Sequence, residues 1–182
     1  MYISQQLKDK NIAEYLLYMW QVEDLIRAND LDTDKIRLNL IDRYQVSEEE
    51  KNNLTEWYGN LIRMMYEEGV QVKGHLQINK NIIIQLTELH AGLSRSPGFP
   101  FYHAAYYKAL PFIVELRARK DSQNESELET ALEALYGIMM LRIQQKPISE
   151  ETTKAIGAIS SFISLLANYY QKQKNGELKL DE

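Results

Sequence analysis

Apolar residues in this chain recur at intervals of three and four along almost its whole length, and that spacing points to helices throughout. The pattern is densest near the N-terminus, where Ile12, Tyr15, Leu16, Met19, Val22 and Ile26 form one stripe at helical period. Leu17, Trp20 and Leu25 fall on other faces of the same helix. A helix apolar around so much of its circumference is either central to its domain or in contact with a second chain. Later stripes are Leu54, Trp57, Tyr58, Leu61 and Met65, then Leu76, Ile83, Leu86 and Leu93. Leu128, Leu132, Leu135, Met139 and Ile143 follow, and the last is Ile156, Ile159, Ile163, Leu166 and Tyr170. The triplet Ile82-Ile83-Ile84 is β-branched, yet its flanks have helical length and period, so it reads as helix.

Punctuation between the stripes sets the boundaries. Asn11 with Glu14 three residues on has capping-box character, so a short helix ends near Lys10 and a second begins there. Asp32 or Thr33 caps a shorter helix to about Tyr44. Ser47 before Glu48-Glu49-Glu50 is the clearest helix start, and Gly69 suits its C-terminal stop. Ser96-Pro97-Gly98 breaks the next helix, and Pro100 fits a first turn, where no amide donor is needed. Pro111, about three turns further on, predicts a kink or break near Ala109. Residues 121 to 126 read as a polar turn, Lys146-Pro147 as a stop and Ser149 as a last cap. Asn175-Gly176 ends that helix, leaving 177–182 as a flexible tail. Gly137 and Gly157 lie at equal distance from the turn at Pro147, which predicts that they face each other at a close backbone approach.

The fold class that follows is all-α: a single compact bundle or array of six to eight helices over residues 1–176, closed by a C-terminal antiparallel hairpin. A chain of 182 residues, 45% apolar and 26% charged, suits one globular domain. No cysteine is present, so thiolate zinc sites, catalytic thiols and disulfides are excluded, in keeping with a cytoplasmic setting. No basic-then-apolar leader is expected at the N-terminus, and no run is apolar enough for a membrane span. The net charge of −5 speaks against general nucleic-acid binding.

Chemical motifs are sparse. None of His75, His90 and His103 follows an acid at the spacing of three that carboxylate-bridged metal sites in bundles use, so no metal is expected. His75 and His90, fifteen residues apart on one helix, are separated by about 22 Å and cannot share an ion. Phosphate loops and nucleophile elbows are absent, no cofactor is expected, and the balance leans away from an enzyme. Arg95, Lys108, Arg117, Arg119 and Lys120 cluster around one helix, either as an anion site or as favourable charge near a helix C-terminus. Glu23 and Arg27 read as an ordinary i,i+4 pair.

The most unusual segment is Pro97 to Phe112, which holds three of the four prolines and three of the four phenylalanines. Tyr102 and Tyr106 share a helix face, and His103 and Tyr107 make a second pair beside it. His103, Tyr106, Tyr107 and Lys108 are therefore the candidate ligand- or partner-binding residues. In the competing reading, Phe99, Phe101, Tyr106 and Phe112 fill the gap at a kinked helix and His103 is a satisfied histidine. Trp20 and Trp57 read as core anchors.

Three stretches carry a family likeness: Asn11 to Arg27, Gly74 to Asn81, and Ala104 to Arg117. Together they resemble an uncharacterised domain-of-unknown-function family of small bacterial proteins, associated particularly with the Bacteroidetes. The resemblance implies a stand-alone bacterial protein and brings no activity, cofactor or catalytic residue with it. The leading functional expectation is a non-enzymatic interaction or scaffold domain that contacts a protein partner or itself. It would do so through the tyrosine-rich surface near 99–112 or through the over-apolar first long helix. The alternative is a small-ligand binder or enzyme with a pocket in the same segment.

Overall fold

The computed structural model describes residues 2–120 and 125–179, with side chains for 4–119 and 125–179. Within them the chain forms eight α-helices and no strand, as the periodicity predicts. They are α1 (Tyr2–Lys10), α2 (Ile12–Ala28), α3 (Thr33–Asn39), α4 (Glu48–Glu67), α5 (Gln77–Arg95), α6 (Pro100–Lys120), α7 (Glu127–Ile143) and α8 (Glu150–Lys174). Residues 121–124 of the expected polar turn and 180–182 of the expected tail lie outside the described residues. The described residues divide into two compact units. One comprises Tyr18–Asn81 with the N-terminal residues through Gln6; the other comprises Leu7–Leu17 and the chain from Ile82 onward.

In the first unit, local hydrogen bonds decide where each helix starts and stops. Asp32 caps α3, its carboxylate accepting from the amides of Asp34 and Lys35 at 2.8 and 3.1 Å. The helix ends at Asn39, short of the expected Tyr44, because Leu40 leaves helical geometry and a 3-10 turn takes over Ile41–Arg43. Ser47 and Glu50 close a full capping box on α4, and those bonds hold the Glu50 carboxyl below its ordinary pKa. At the other end Gly69 adopts φ +70°, letting the Val70 amide reach Met65 and its own amide reach Tyr66. α2 stops by the same device without a glycine. Asp30 and Leu31 sit at φ +59° and +54°, and the Leu31 amide reaches the Ile26 carbonyl. Ile36, Ile41, Tyr58, Leu61, Met65 and Leu76 fill the core of this unit.

In the second unit α6 packs on α8 and α7, and α7 and α8 form the expected antiparallel hairpin. Pro100 opens α6, and Ser126 and Ser149 cap α7 and α8, Ser126 through a capping box with Glu129. Leu93, Tyr102, Ala109, Ile113, Leu132, Ile159, Phe162 and Leu166 are buried at its centre.

Two expectations for this unit are corrected. Of the kink or break expected near Ala109, the break does not occur: α6 runs as one helix through Pro111. The proline is exposed, as is Tyr107, the residue whose carbonyl loses its partner, so that carbonyl can turn to water and the helix survives. Gly137 and Gly157 do not approach each other either, because a Cβ added at either meets no atom within 4 Å. They border different grooves instead. Gly137 lies in one of about 450 Å³ with Phe112, Leu116 and Leu141. Gly157 lies in one of about 530 Å³ with Leu17, Leu135 and Met139. The hairpin is rotated so that both glycines look outward.

Candidate interaction surface and a buried polar cluster

The face that α6 turns to its own unit accounts for much of the aromatic segment. Tyr102 is fully buried, and its hydroxyl lies 2.6 Å from Nδ1 of His90 on α5. The His90 ring also meets Tyr106 and Phe162 edge-on, and Tyr102 leans on Tyr169. Burial pushes the Tyr102 and Tyr106 hydroxyls above their ordinary pKa and lowers that of His90 against a weaker pull upward from Glu127. A neutral His90 accepting from the Tyr102 hydroxyl fits this environment.

The four candidate residues separate into different roles. His103 is half-buried, with Nε2 2.9 Å from the carbonyl of Leu93, so it closes one of the open acceptors in the last turn of α5. Tyr106 is half-buried and donates its hydroxyl to Glu127 at 2.7 Å, tying α6 to the first turn of α7. Tyr107 and Lys108 are exposed. None of the four lines the four grooves of about 310–530 Å³. Phe101 does not fill a gap: it is 81% exposed.

The basic cluster disperses similarly. Arg95 donates to Ala91 at the end of its own helix, and Arg119 pairs with Glu115 one turn back. Arg117 is half-buried, and the Lys120 side chain lies outside the described residues.

What remains on α6 is an outer seam. Pro100, Ala104, Tyr107, Pro111, Val114 and Ala118 are all exposed and follow one another at spacings of four and three. That is the heptad spacing of a helix that faces another helix. The inner face repeats the pattern with Tyr102, Tyr106, Ala109, Ile113 and Leu116, all buried or half-buried. α6 is thus apolar on two opposite sides, and only one of them is covered. Lys108 and Glu115 flank the outer seam on one side.

The over-apolar α2 offers no comparable surface. Ile12, Leu16, Met19, Trp20, Val22 and Ile26 are each at most 2% exposed. α2 carries another unexpected feature in the first unit. Glu23 is fully buried and does not pair with Arg27. One carboxylate oxygen accepts from the Leu76 amide at 3.0 Å and from Nδ2 of Asn79 at 2.7 Å. The other lies 2.6 Å from Nδ1 of His75, whose ring stacks on Trp20 at 4.3 Å. Arg27 turns instead to Asp24 and to the carbonyls of Val70 and Gly74. The cluster pins the segment between α4 and α5 onto α2. Among the described residues Oδ1 of Asn79, a buried acceptor, has no hydrogen-bond partner.

Sequence reasoning missed this cluster although a signal was present. Glu23 lies four residues after Met19 and three before Ile26, on the buried stripe of α2. Asn79 lies between Leu76 and Ile83 on the stripe of α5. A polar residue on an apolar stripe needs a buried partner, and Asn79 Nδ2 supplies one to Glu23.

Among the described residues no group of three or more potential ligands could hold a metal ion, and no helix is long and apolar enough to cross a membrane. Searches of curated proteins and of solved structures find no match. A family model does match, over residues 1–177. The chain therefore belongs to the family described as Domain of unknown function (DUF4924).

Proposed function

We propose that this protein is a non-enzymatic interaction domain and that the outer seam of α6 is its contact surface. The observation that carries the reading is the second apolar heptad row on α6, exposed from Pro100 to Ala118, with Tyr107 67% and Val114 52% accessible. A stripe of this kind on a folded helix marks a surface that another protein covers. Of the four candidate residues, Tyr107 and Lys108 belong to this surface, whereas His103 and Tyr106 support it from behind. The bacterial, Bacteroidetes-type origin follows from the sequence resemblance. A cytoplasmic setting is compatible with a chain free of cysteine.

Affinity capture from a lysate of the source cell, with the wild-type chain beside Tyr107→Ala and Val114→Asp, tests the reading. Both positions are exposed, so far-UV circular dichroism should stay unchanged while a specific companion is lost. A companion retained equally by all three chains, or none in any, overturns it.

A further inference from the structure

Taking the α6 seam as a contact surface, we infer that its partner is a second copy of this chain, paired antiparallel through α6. The argument rests on what each pairing would bring together. When two helices pack along heptad seams, the residues beside the seam meet across the interface and set orientation. If Pro111 is set against Val114 of an antiparallel second copy, two-fold symmetry places Tyr107 against Ala118 and Ala118 against Tyr107. A ring then faces a methyl at both ends of the contact. The same register sets Lys108 beside Glu115 of the second copy, twice.

The alternatives lack this match. A parallel pair places Lys108 beside His103 and Glu115 beside Leu110. The neighbouring antiparallel register places Lys108 against its own copy, a like-charge contact. Only one arrangement therefore pairs large with small and positive with negative throughout. Arg119 holds Glu115 from one turn away, but both side chains are more than half exposed, at 70% and 52%. Such a surface pair is weak and leaves Glu115 available to a second cation.

Pro111 sits at the middle of the seam on its exposed side. The helix is already continuous through it, so pairing need not re-form a broken turn, provided the Tyr107 carbonyl keeps a water at the edge of the contact. α6 is the right length for a modest contact. In this register the paired stretch of the seam runs from Tyr107 to Ala118, roughly 16 Å. A contact this short suits reversible pairing.

Sedimentation equilibrium of the full chain over a concentration series, with circular dichroism as the folding control, tests the pairing. The wild-type chain should dimerise reversibly and Val114→Asp should remain monomeric. Lys108→Glu and Glu115→Lys should each weaken dimerisation roughly tenfold, and the double exchange should restore it, because the contact is reciprocal. A monomeric wild-type chain overturns the inference, as does a dimer indifferent to Val114→Asp or a double exchange without rescue. A monomeric wild-type chain that still captures a different protein through Val114 removes the dimer and leaves the contact-surface reading standing. A monomeric chain with no Val114-dependent capture removes both.

Discussion

Replacing Glu23 by alanine strips the acceptor from three donors at once: the Leu76 amide, Nδ2 of Asn79 and Nδ1 of His75. Leu76 is fully buried and so is Asn79, so neither donor can recover a hydrogen bond from bulk water. A buried donor left unpaired costs about 1–3 kcal/mol. The half-exposed His75 can turn toward solvent and contributes less. Relief of the carboxylate's own desolvation offsets part of the loss, so the net destabilisation should be about 3 kcal/mol. For a chain of this size each kcal/mol moves the melting temperature by roughly 2–4 °C, which gives a drop of about 6–12 °C. Glu23→Gln keeps an acceptor for Leu76 and Asn79 and replaces one charge-assisted bond, so about 1–2 kcal/mol should be lost. Urea unfolding followed by circular dichroism and tryptophan fluorescence measures both. A double-mutant cycle with His75→Ala isolates the carboxylate–imidazole contact. If Glu23→Ala costs less than about 0.5 kcal/mol, or if the cycle is strictly additive, the buried acceptor is not what holds residues 75–79 to α2.

Three other outcomes follow from local geometry. Gly137→Ala places a methyl in open space within a helix, so stability should rise by about 1 kcal/mol in a urea titration; a loss would mean the groove closes on that position. Gln145 ends α7 at φ +55° without being glycine, so Gln145→Gly should raise the melting temperature by roughly the equivalent of 0.5–1 kcal/mol, and a fall would contradict the strained cap. His90 has its pKa lowered by burial, so the unfolded chain binds its proton first as pH falls. Its stabilising contribution is therefore full above the ordinary histidine value of 6.5 and declines below it toward the lowered folded value. His90→Asn, which retains an acceptor near the Tyr102 hydroxyl, should flatten that part of the stability–pH curve, and an unchanged slope between neutral pH and pH 5 would exclude His90 as the source.

Features that depend on neighbours in sequence were readable from the residues alone. Ser47 and Glu50 are three apart, Gly69 follows directly on its helix, and Pro100 stands one place inside the next, so each signal and its effect lie within one turn. Features that depend on tertiary competition were not. Glu23 has an attractive local partner in Arg27, yet its actual partners are 52 to 56 positions away. Local spacing could not reveal that Arg27 is drawn to the backbone of the 70–74 segment. Pro111 looked like a kink or a break because its cost was counted without knowing that Tyr107, the residue whose carbonyl is freed, is exposed. The paired glycines failed for another reason: equal distance from a turn fixes height along a hairpin and leaves rotation about each helix axis open. The outer seam of α6 was present in the sequence, but its counterpart on the inner face had to be covered before the exposed one stood out.

The remoteness of Glu23 from its partners has a consequence for how the first unit assembles. A carboxylate on the buried face of α2 keeps its water until the segment around His75 arrives, so α2 cannot dry out one side at a time. Closing that loop therefore also desolvates Glu23, and in the folded unit the Trp20 ring stacks on the same imidazole. The protein thus carries its own clock for that step. With Trp57 replaced by phenylalanine, Trp20 emission reports that closure without an attached dye, and a contact made after the folding barrier means that Glu23→Gln should speed unfolding and leave the folding rate unchanged.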